Sequence, residues 1–380
     1  MPAKRLSMQQ VAAWRLTRQN LLRRTGKEGW LDTVHRIGGI PSRMMQAVEL
    51  AVWARADGVK PADIRQALRE DRTLVECWAM RGERYVLTSV ELPRVLSALR
   101  EYTADSSRKS QRVNGRLVSQ RQADDLLEGI GAVLGQEPKT LESLAAAVAA
   151  SKGQEELRAL LLEGSADLLR PAAREGLLAF GPKEGEQDTF VRPDQWIKRW
   201  SAPSESPEAI MREAVKRYLS VYGPATFEEF ARWWNIDTSA AKRLMRSLEG
   251  DIAAVIVDGR EGWLLRSDVE ELHAASMPEG TVRLLPHFDP YTVSMAHASS
   301  SFMKEPYRPL LYRGDGVVAP AVLLDGRVEG IWTLEAKKNQ TELQVNWFEP
   351  SKVRSQTRAK VEEEAARLLD FYESDLILRC

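Results

Sequence analysis

The stretch that most constrains the fold is residues 45–88, MQAVELAVWARADGVKPADIRQALREDRTLVECWAMRGERYVLT. Val48, Leu50, Val52 and Trp53 give one apolar helical face, and Asp57-Gly58 supplies a pair able to end a helix in a left-handed turn. Lys60-Pro61-Ala62-Asp63 restarts a helix, with Pro61 where a missing N–H costs nothing and Ile64, Ala67 and Leu68 facing inward. Two β-rich runs, residues 73–80 and 84–88, then flank the turn Arg81-Gly82-Glu83. Helix, helix, hairpin is the outline of a winged helix-turn-helix. The alternative on pattern alone is an ordinary helical domain carrying a short hairpin.

A chain of 380 residues exceeds one ordinary core, and its 43% hydrophobic content supplies material for several. The expected class is α+β, with three tandem winged-helix modules followed by a small β-barrel-like domain and a terminal helix. The modules span residues 1–103, 116–202, 207–275 and 280–380. In the first, Val11, Trp14, Leu16 and Leu21 recur at helical spacing behind a plausible cap at Ser7. A polar, basic connector over 104–115 leads to the second, with helices near 123–134, 140–150 and 154–162 and strands at 177–180 and 189–192. The third is clearest: a helix over 209–222, a break at Gly223-Pro224, a helix capped by Thr226, another from Thr238, then a hairpin around Asp258-Gly259. After Gly280 the pattern turns to strands at 281–285, 317–324, 327–334 and 342–348, closed by a helix over 352–372.

The net charge is zero, but residues 1–115 hold 21 Lys+Arg against 12 Asp+Glu, and the remainder is correspondingly acidic. No acidic residue precedes Glu28, while Lys4, Arg5, Arg15, Arg18, Arg23, Arg24 and Lys27 are all basic. A basic end implies a polyanion partner, and a duplex backbone is the obvious one. The competing account is a solvated face whose counter-charges are supplied by folding. In the third module, Lys242, Arg243 and Arg246 lie on the helix that would serve as its recognition helix, facing phosphates or a groove.

Cys77 and Cys380 are the only cysteines, so no disulfide framework is implied and a reducing cytosol fits best. No apolar run reaches the length of a membrane span, and MPAKRLSMQQ lacks the apolar centre of a signal peptide, so a soluble cytoplasmic protein is expected. His287, Asp289 and His297 make no ligand-spaced cluster and no metal or other cofactor is called for; Asp289 before Pro290 reads as a turn residue. No Gly-rich phosphate loop or nucleophile elbow is present. Trp14, Trp53, Trp78, Trp233 or Trp234, Trp263 and Trp332 read as packing residues rather than base-stacking ones.

ELAVWARADG followed by a helix and RTLVECWAMRG resembles the bacterial AlkZ- and YcaQ-like family of tandem winged-helix DNA glycosylases, which excise alkylated or crosslinked purines. AWRLTRQ at 13–19, RLLPHFDPY at 283–291 and APAVLLDGRVEGIW at 319–332 extend the resemblance over nearly the whole chain. It implies double-stranded DNA as partner, a clamp-like set of winged helices, and hydrolysis of the N-glycosidic bond of a cationic alkylpurine by a positioned water. It also implies a catalytic pair, Gln-x-Gln or Gln-x-Asp, at a slot that is here Pro41-Ser42-Arg43. Pro41 has no side-chain donor or acceptor, and Arg43 is a permanent cation that cannot act as a base. Where relatives read Arg-Gly-Thr-x-His, this chain has Arg81-Gly82-Glu83-Arg84-Tyr85. The catalytic candidates are therefore Arg43, Glu83 and Tyr85, set against decay of the site. Candidates for DNA contact are Arg15, Gln19, Ser42, Arg43, Gln46, Arg81, Arg84, Lys242, Arg243 and Arg246. Two outcomes stay open: a glycosylase with an altered site, or a non-catalytic DNA-binding or regulatory protein. A protein-interaction scaffold would show no salt-dependent DNA affinity at all.

Overall fold

The computed structural model describes residues 4–102, 112–113, 116–295, 302–337, 340–372 and 376–379. Most of the expected connector over 104–115, together with His297 and Cys380, lies outside the described residues. The fold is mixed α+β. It divides into two compact units, each assembled from separated segments: Met1–Ile64, Arg212–Phe230 and Ala241–Cys380 in one, Arg65–Met211 and Ala231–Ala240 in the other.

In the first unit the helix Met8–Arg18 opens with a capping box. Ser7 Oγ accepts from Gln10 N at 3.2 Å, and Gln10 Oε1 accepts from Ser7 N at 2.9 Å, so two otherwise orphaned amides are satisfied. Its inner face buries Val11, Trp14 and Leu16. The strand Lys4–Leu6 pairs in parallel with Ile252–Val257, which itself pairs antiparallel with Arg260–Leu265. Leu6, Val11, Trp14, Val255, Leu264 and Leu272 close a core between these elements. The helix Met45–Trp53 buries Val48, Leu50, Val52 and Trp53 and ends in a right-handed cap at Ala54, so Asp57-Gly58 does not end it; Gly58, at φ 76°, is left-handed in the connection that follows. Thr226 and Glu229 form a second reciprocal cap, Glu229 N donating to Thr226 Oγ1 and Thr226 N to Glu229 Oε2.

The same unit ends in a five-stranded sheet ordered Val282–Leu285, Ala321–Leu324, Arg327–Lys337, Gln340–Trp347 and Leu376–Arg379. The first four strands pair antiparallel, and the last runs parallel to Gln340–Trp347. The barrel expected from the strand-rich C-terminal region is corrected here to an open sheet, whose first and last strands do not pair with each other. Closure is one way to cover an apolar sheet face; a packed helix is another. Here the helix Ser355–Tyr372 lies against Val282–Leu285 and buries Val361, Ala365, Leu368 and Phe371.

The second unit holds the hairpin Leu74–Trp78 with Arg84–Thr88, in register from Leu74 opposite Thr88 to Trp78 opposite Arg84. Its Leu74–Trp78 strand continues through Glu76 to Ala179–Phe180, then to Thr189–Val191 and Lys139–Thr140. Helices Gln120–Val133, Leu141–Lys152 and Glu156–Arg174 pack on one another, with Leu126, Ile130, Leu144, Val148, Leu160 and Leu169 in the core. Trp78, Phe180 and Phe190 extend that core into the sheet, with ring centroids 4.6 and 5.5 Å apart. Among the described residues no helix is long and apolar enough to cross a membrane.

Candidate functional site

The slot residues sit immediately before the Met45–Trp53 helix. Pro41 and Ser42 are buried, whereas Arg43 and Gln46 are exposed. The Arg43 guanidinium lies over the Phe288 ring, 5.4 Å from its centroid, within cation–π range. A Cβ at Gly316 would stand 3.8 Å from Arg43 Nη1, so the loop backbone also approaches this side chain.

Phe288 has φ 55°, a left-handed conformation that costs a bulky residue about 1–3 kcal/mol and persists only where its surroundings impose it. Its amide donates to Val318 O at 3.2 Å, and His287 Nδ1 is 3.0 Å from the same oxygen. Asp289, fully buried, completes the constraint. Its carboxylate takes Arg55 Nη1 at 2.7 Å and Arg55 Nη2 at 2.8 Å, and also caps the helix Pro290–Ser294 by accepting from Tyr291 N. Arg55 is 1% exposed and Asp289 0%, so this is an ion pair removed from water; Arg55 also donates to Ala51 O and Gln19 Oε1, while its Nε has no hydrogen-bond partner among the described residues. Asp289 does fix a turn, as its place before Pro290 suggested, but its partner Arg55 was not singled out. An arginine inside the apolar run AVWAR and an aspartate inside LLPHFDPY were the available signals. Burial pushes the His287 imidazole below the ordinary histidine range, against its contact with Val318 O, and Arg313 adds to the lowering.

Folding supplies counter-charges to much of the basic N-terminal run. Lys4 pairs with Glu270, Arg18 with Asp268 and Glu271, and Lys27 with Asp63. Arg24 shares Glu364 with Arg283 and Arg367. Arg15, expected at DNA, is instead 8% exposed: it donates through Nε to Gly223 O and through Nη2 to Pro224 O. Gln19, also expected at DNA, is wholly buried beside Arg55. Sequence charge counting sees the arginines but not the acidic segment, residues 268–271, that folding brings to them.

In the other unit, Arg81 sits at φ 61° in the hairpin turn and donates to the Tyr85 hydroxyl, with its guanidinium 5.8 Å from the ring centroid. Tyr85 is 3% exposed, while Glu83 is half-buried. Arg84 lies 3.8 Å from the Phe180 centroid and bonds Glu76 at 2.9 Å and Asp188 at 2.7 Å. Burial works against its charge, yet the two carboxylates hold its pKa above the ordinary arginine value. Arg84 is thus committed inside its own sheet rather than presented outward. In the first unit, Arg243 and Arg246 on the helix Thr238–Arg246 are exposed and form no ion pair among the described residues; Lys242 lies 5.9 Å from the Phe227 centroid. The structure therefore brings Arg43 together with Phe288, and Arg81 with Tyr85. Among the described residues no group of three or more His, Cys, Asp or Glu could hold a metal ion.

The family model of AlkZ-like DNA glycosylases matches residues 34–371. The chain belongs to the AlkZ-like DNA glycosylase family. An interstrand DNA cross-link repair glycosylase of Streptomyces sahachiroi is 31% identical over 366 residues, covering 95% of each chain. The solved structure of the Streptomyces sahachiroi DNA glycosylase AlkZ superposes with a TM-score of 0.84 at 28% identity, covering 99% of each chain. This AlkZ-like chain thus shares its relatives' fold from end to end while carrying Pro41 and Arg43 at the slot described above.

Proposed function

We propose that this AlkZ-like protein binds double-stranded DNA, recognises damage in it, and does not hydrolyse the N-glycosidic bond by the family's glutamine route. The observation that carries the reading is Arg43, an exposed permanent cation held over Phe288 at a slot where catalysis needs a group that can position a water. The order of elements in residues 1–103, 116–202 and 207–275 supports three tandem winged helices, and in the third the exposed Arg243 and Arg246 suit phosphate contacts. The cross-link repair named for the relative motivates damaged duplex as the ligand class here. Glu83 and Tyr85 as a rebuilt catalytic pair find less support, because the Tyr85 hydroxyl already accepts from Arg81 inside the unit.

The test is equilibrium binding of unmodified, 7-alkylguanine-containing and crosslinked duplexes at two salt concentrations. Salt-dependent binding that prefers damage in any sequence context is expected. Absence of salt-dependent binding would overturn the DNA reading, and a large preference for one undamaged sequence would make the protein a regulator instead.

A further inference from the structure

His287 stands beside the slot, its ring centroid 6.1 Å from that of Phe288, on which Arg43 lies. Its Nδ1 is 3.0 Å from Val318 O. A carbonyl oxygen only accepts, so Nδ1 carries the proton, and in the neutral ring Nε2 is left as an acceptor. Burial above all, and the nearby Arg313 charge besides, favour that neutral ring over the pull of the Val318 contact. Nε2 makes no hydrogen bond among the described residues, and the side chain is half-buried rather than enclosed, so the lone pair stays open to a ligand. The backbone holds the ring in place. Phe288, at φ 55°, donates its amide to the same Val318 O, and the buried Arg55–Asp289 pair anchors the residue beyond.

The neighbouring turn, residues 312–318, supplies a cation. Arg313 is exposed and forms no ion pair among the described residues, and the carboxylate of the same turn, Asp315, accepts from Val317 N. A guanidinium suits a phosphate oxygen, whereas a lone-pair acceptor repels one. The combination fits a ligand that carries both an anionic oxygen and an N–H donor, as a nucleotide does. We propose that His287 reads a base: its Nε2 accepts a hydrogen bond from the exocyclic 2-amino group of a guanine, while Arg313 contacts a phosphate of the DNA backbone. The inference rests on the damaged-duplex reading above, whose lesion is a 7-alkylguanine, and names a contact that recognises that base. The 2-amino group is the one donor that a base pair presents in the minor groove, and alkylation at N7 leaves it in place.

The experiment is fluorescence anisotropy, at about pH 7.5 and across a salt series, of two labelled duplexes of one sequence, the second with hypoxanthine in place of every guanine so that only the 2-amino groups are lost. Wild type, His287→Phe, His287→Gln and Arg313→Gln are each first checked for a folded thermal transition. Wild type is expected to bind the guanine duplex about five-fold more tightly than the hypoxanthine one. His287→Phe should weaken the guanine duplex by about the same factor, leave the hypoxanthine duplex unchanged and keep the salt slope, since no charge is removed. His287→Gln, whose carboxamide oxygen supplies an acceptor, should retain part of the preference. Arg313→Gln should weaken both duplexes alike and lower the salt slope by roughly one. Equal affinity of wild type for the two duplexes, a result that needs no variant, would overturn base reading while leaving DNA binding standing. A His287→Phe loss of equal size on both duplexes would overturn it too. An unchanged slope in Arg313→Gln would overturn the phosphate contact. Wild type without salt-dependent binding to either duplex overturns this inference and the DNA reading together.

Discussion

The Arg55–Asp289 pair offers the sharpest stability prediction. Both side chains are at most 1% exposed, and the carboxylate is bonded to both terminal guanidinium nitrogens, 2.7 and 2.8 Å away. Asp289→Asn keeps the volume and an acceptor for Tyr291 N but leaves Arg55 as a buried cation without its counter-charge. Arg55→Met does the converse to Asp289. Removing one partner of such a pair costs about 3–5 kcal/mol, because the remaining charge keeps its desolvation penalty. Replacing both removes the stranded charge, so the double variant should cost no more than the worse single one, a coupling of at least about 3 kcal/mol. Urea unfolding at neutral pH, read from the midpoint at constant slope, measures all three. Single losses below about 1 kcal/mol, or costs that simply add, would refute the view that this pair is dry and mutually dependent.

Other expectations follow from individual groups. Arg243→Gln and Arg246→Gln should each lower the salt slope of duplex binding by roughly one with no loss of thermal stability, since both are exposed without ion pairs among the described residues; an unchanged slope would remove that helix from the contact surface. His287, lowered by burial, should be more than half neutral at pH 6.5 by NMR; because its folded pKa lies below the unfolded one, stability falls as pH drops from the unfolded value through the folded one. Glu349, drawn down to about 2 by hydrogen bonds from Lys304 and Lys352, should remain ionised by carbon-detected NMR at pH 3.5, its stabilising effect being present above the ordinary glutamate range and lost as pH falls toward 2. Thr226→Ala should cost about 1 kcal/mol by removing the hydroxyl that caps Glu229 N, and Thr226→Ser should restore it.

Much of the local structure was legible because its causes are local. Ser7 and Gln10, and Thr140 and Ser143, each determine an element boundary within a few residues of themselves. What escaped were pairings between distant segments. Lys4–Leu6 beside Ile252–Val257 and Leu376–Arg379 beside Thr341–Gln344 are parallel contacts with no hairpin turn to announce them. The barrel expectation failed for a related reason: strand count was readable, but whether the edges meet depends on which helix covers the face. At the site, the residue types at 41–43 and 81–85 were visible, whereas the roles of Arg15, Gln19 and Arg84 depended on carbonyls, a guanidinium and a carboxylate brought from other segments. Phe288 could not be singled out from sequence, since nothing in HFDP states that its φ is positive.

The most direct measurement of the central claim is release of base from duplex DNA carrying 7-alkylguanine, or unhooking of an interstrand crosslink, scored beside binding of the same duplex. With Pro41 and Arg43 at the slot where the family resemblance implies a water-positioning pair, the proposed function predicts binding without release. Release by the wild-type chain would contradict the account, and its loss in Glu83→Gln or Tyr85→Phe would locate a rebuilt active site in the hairpin.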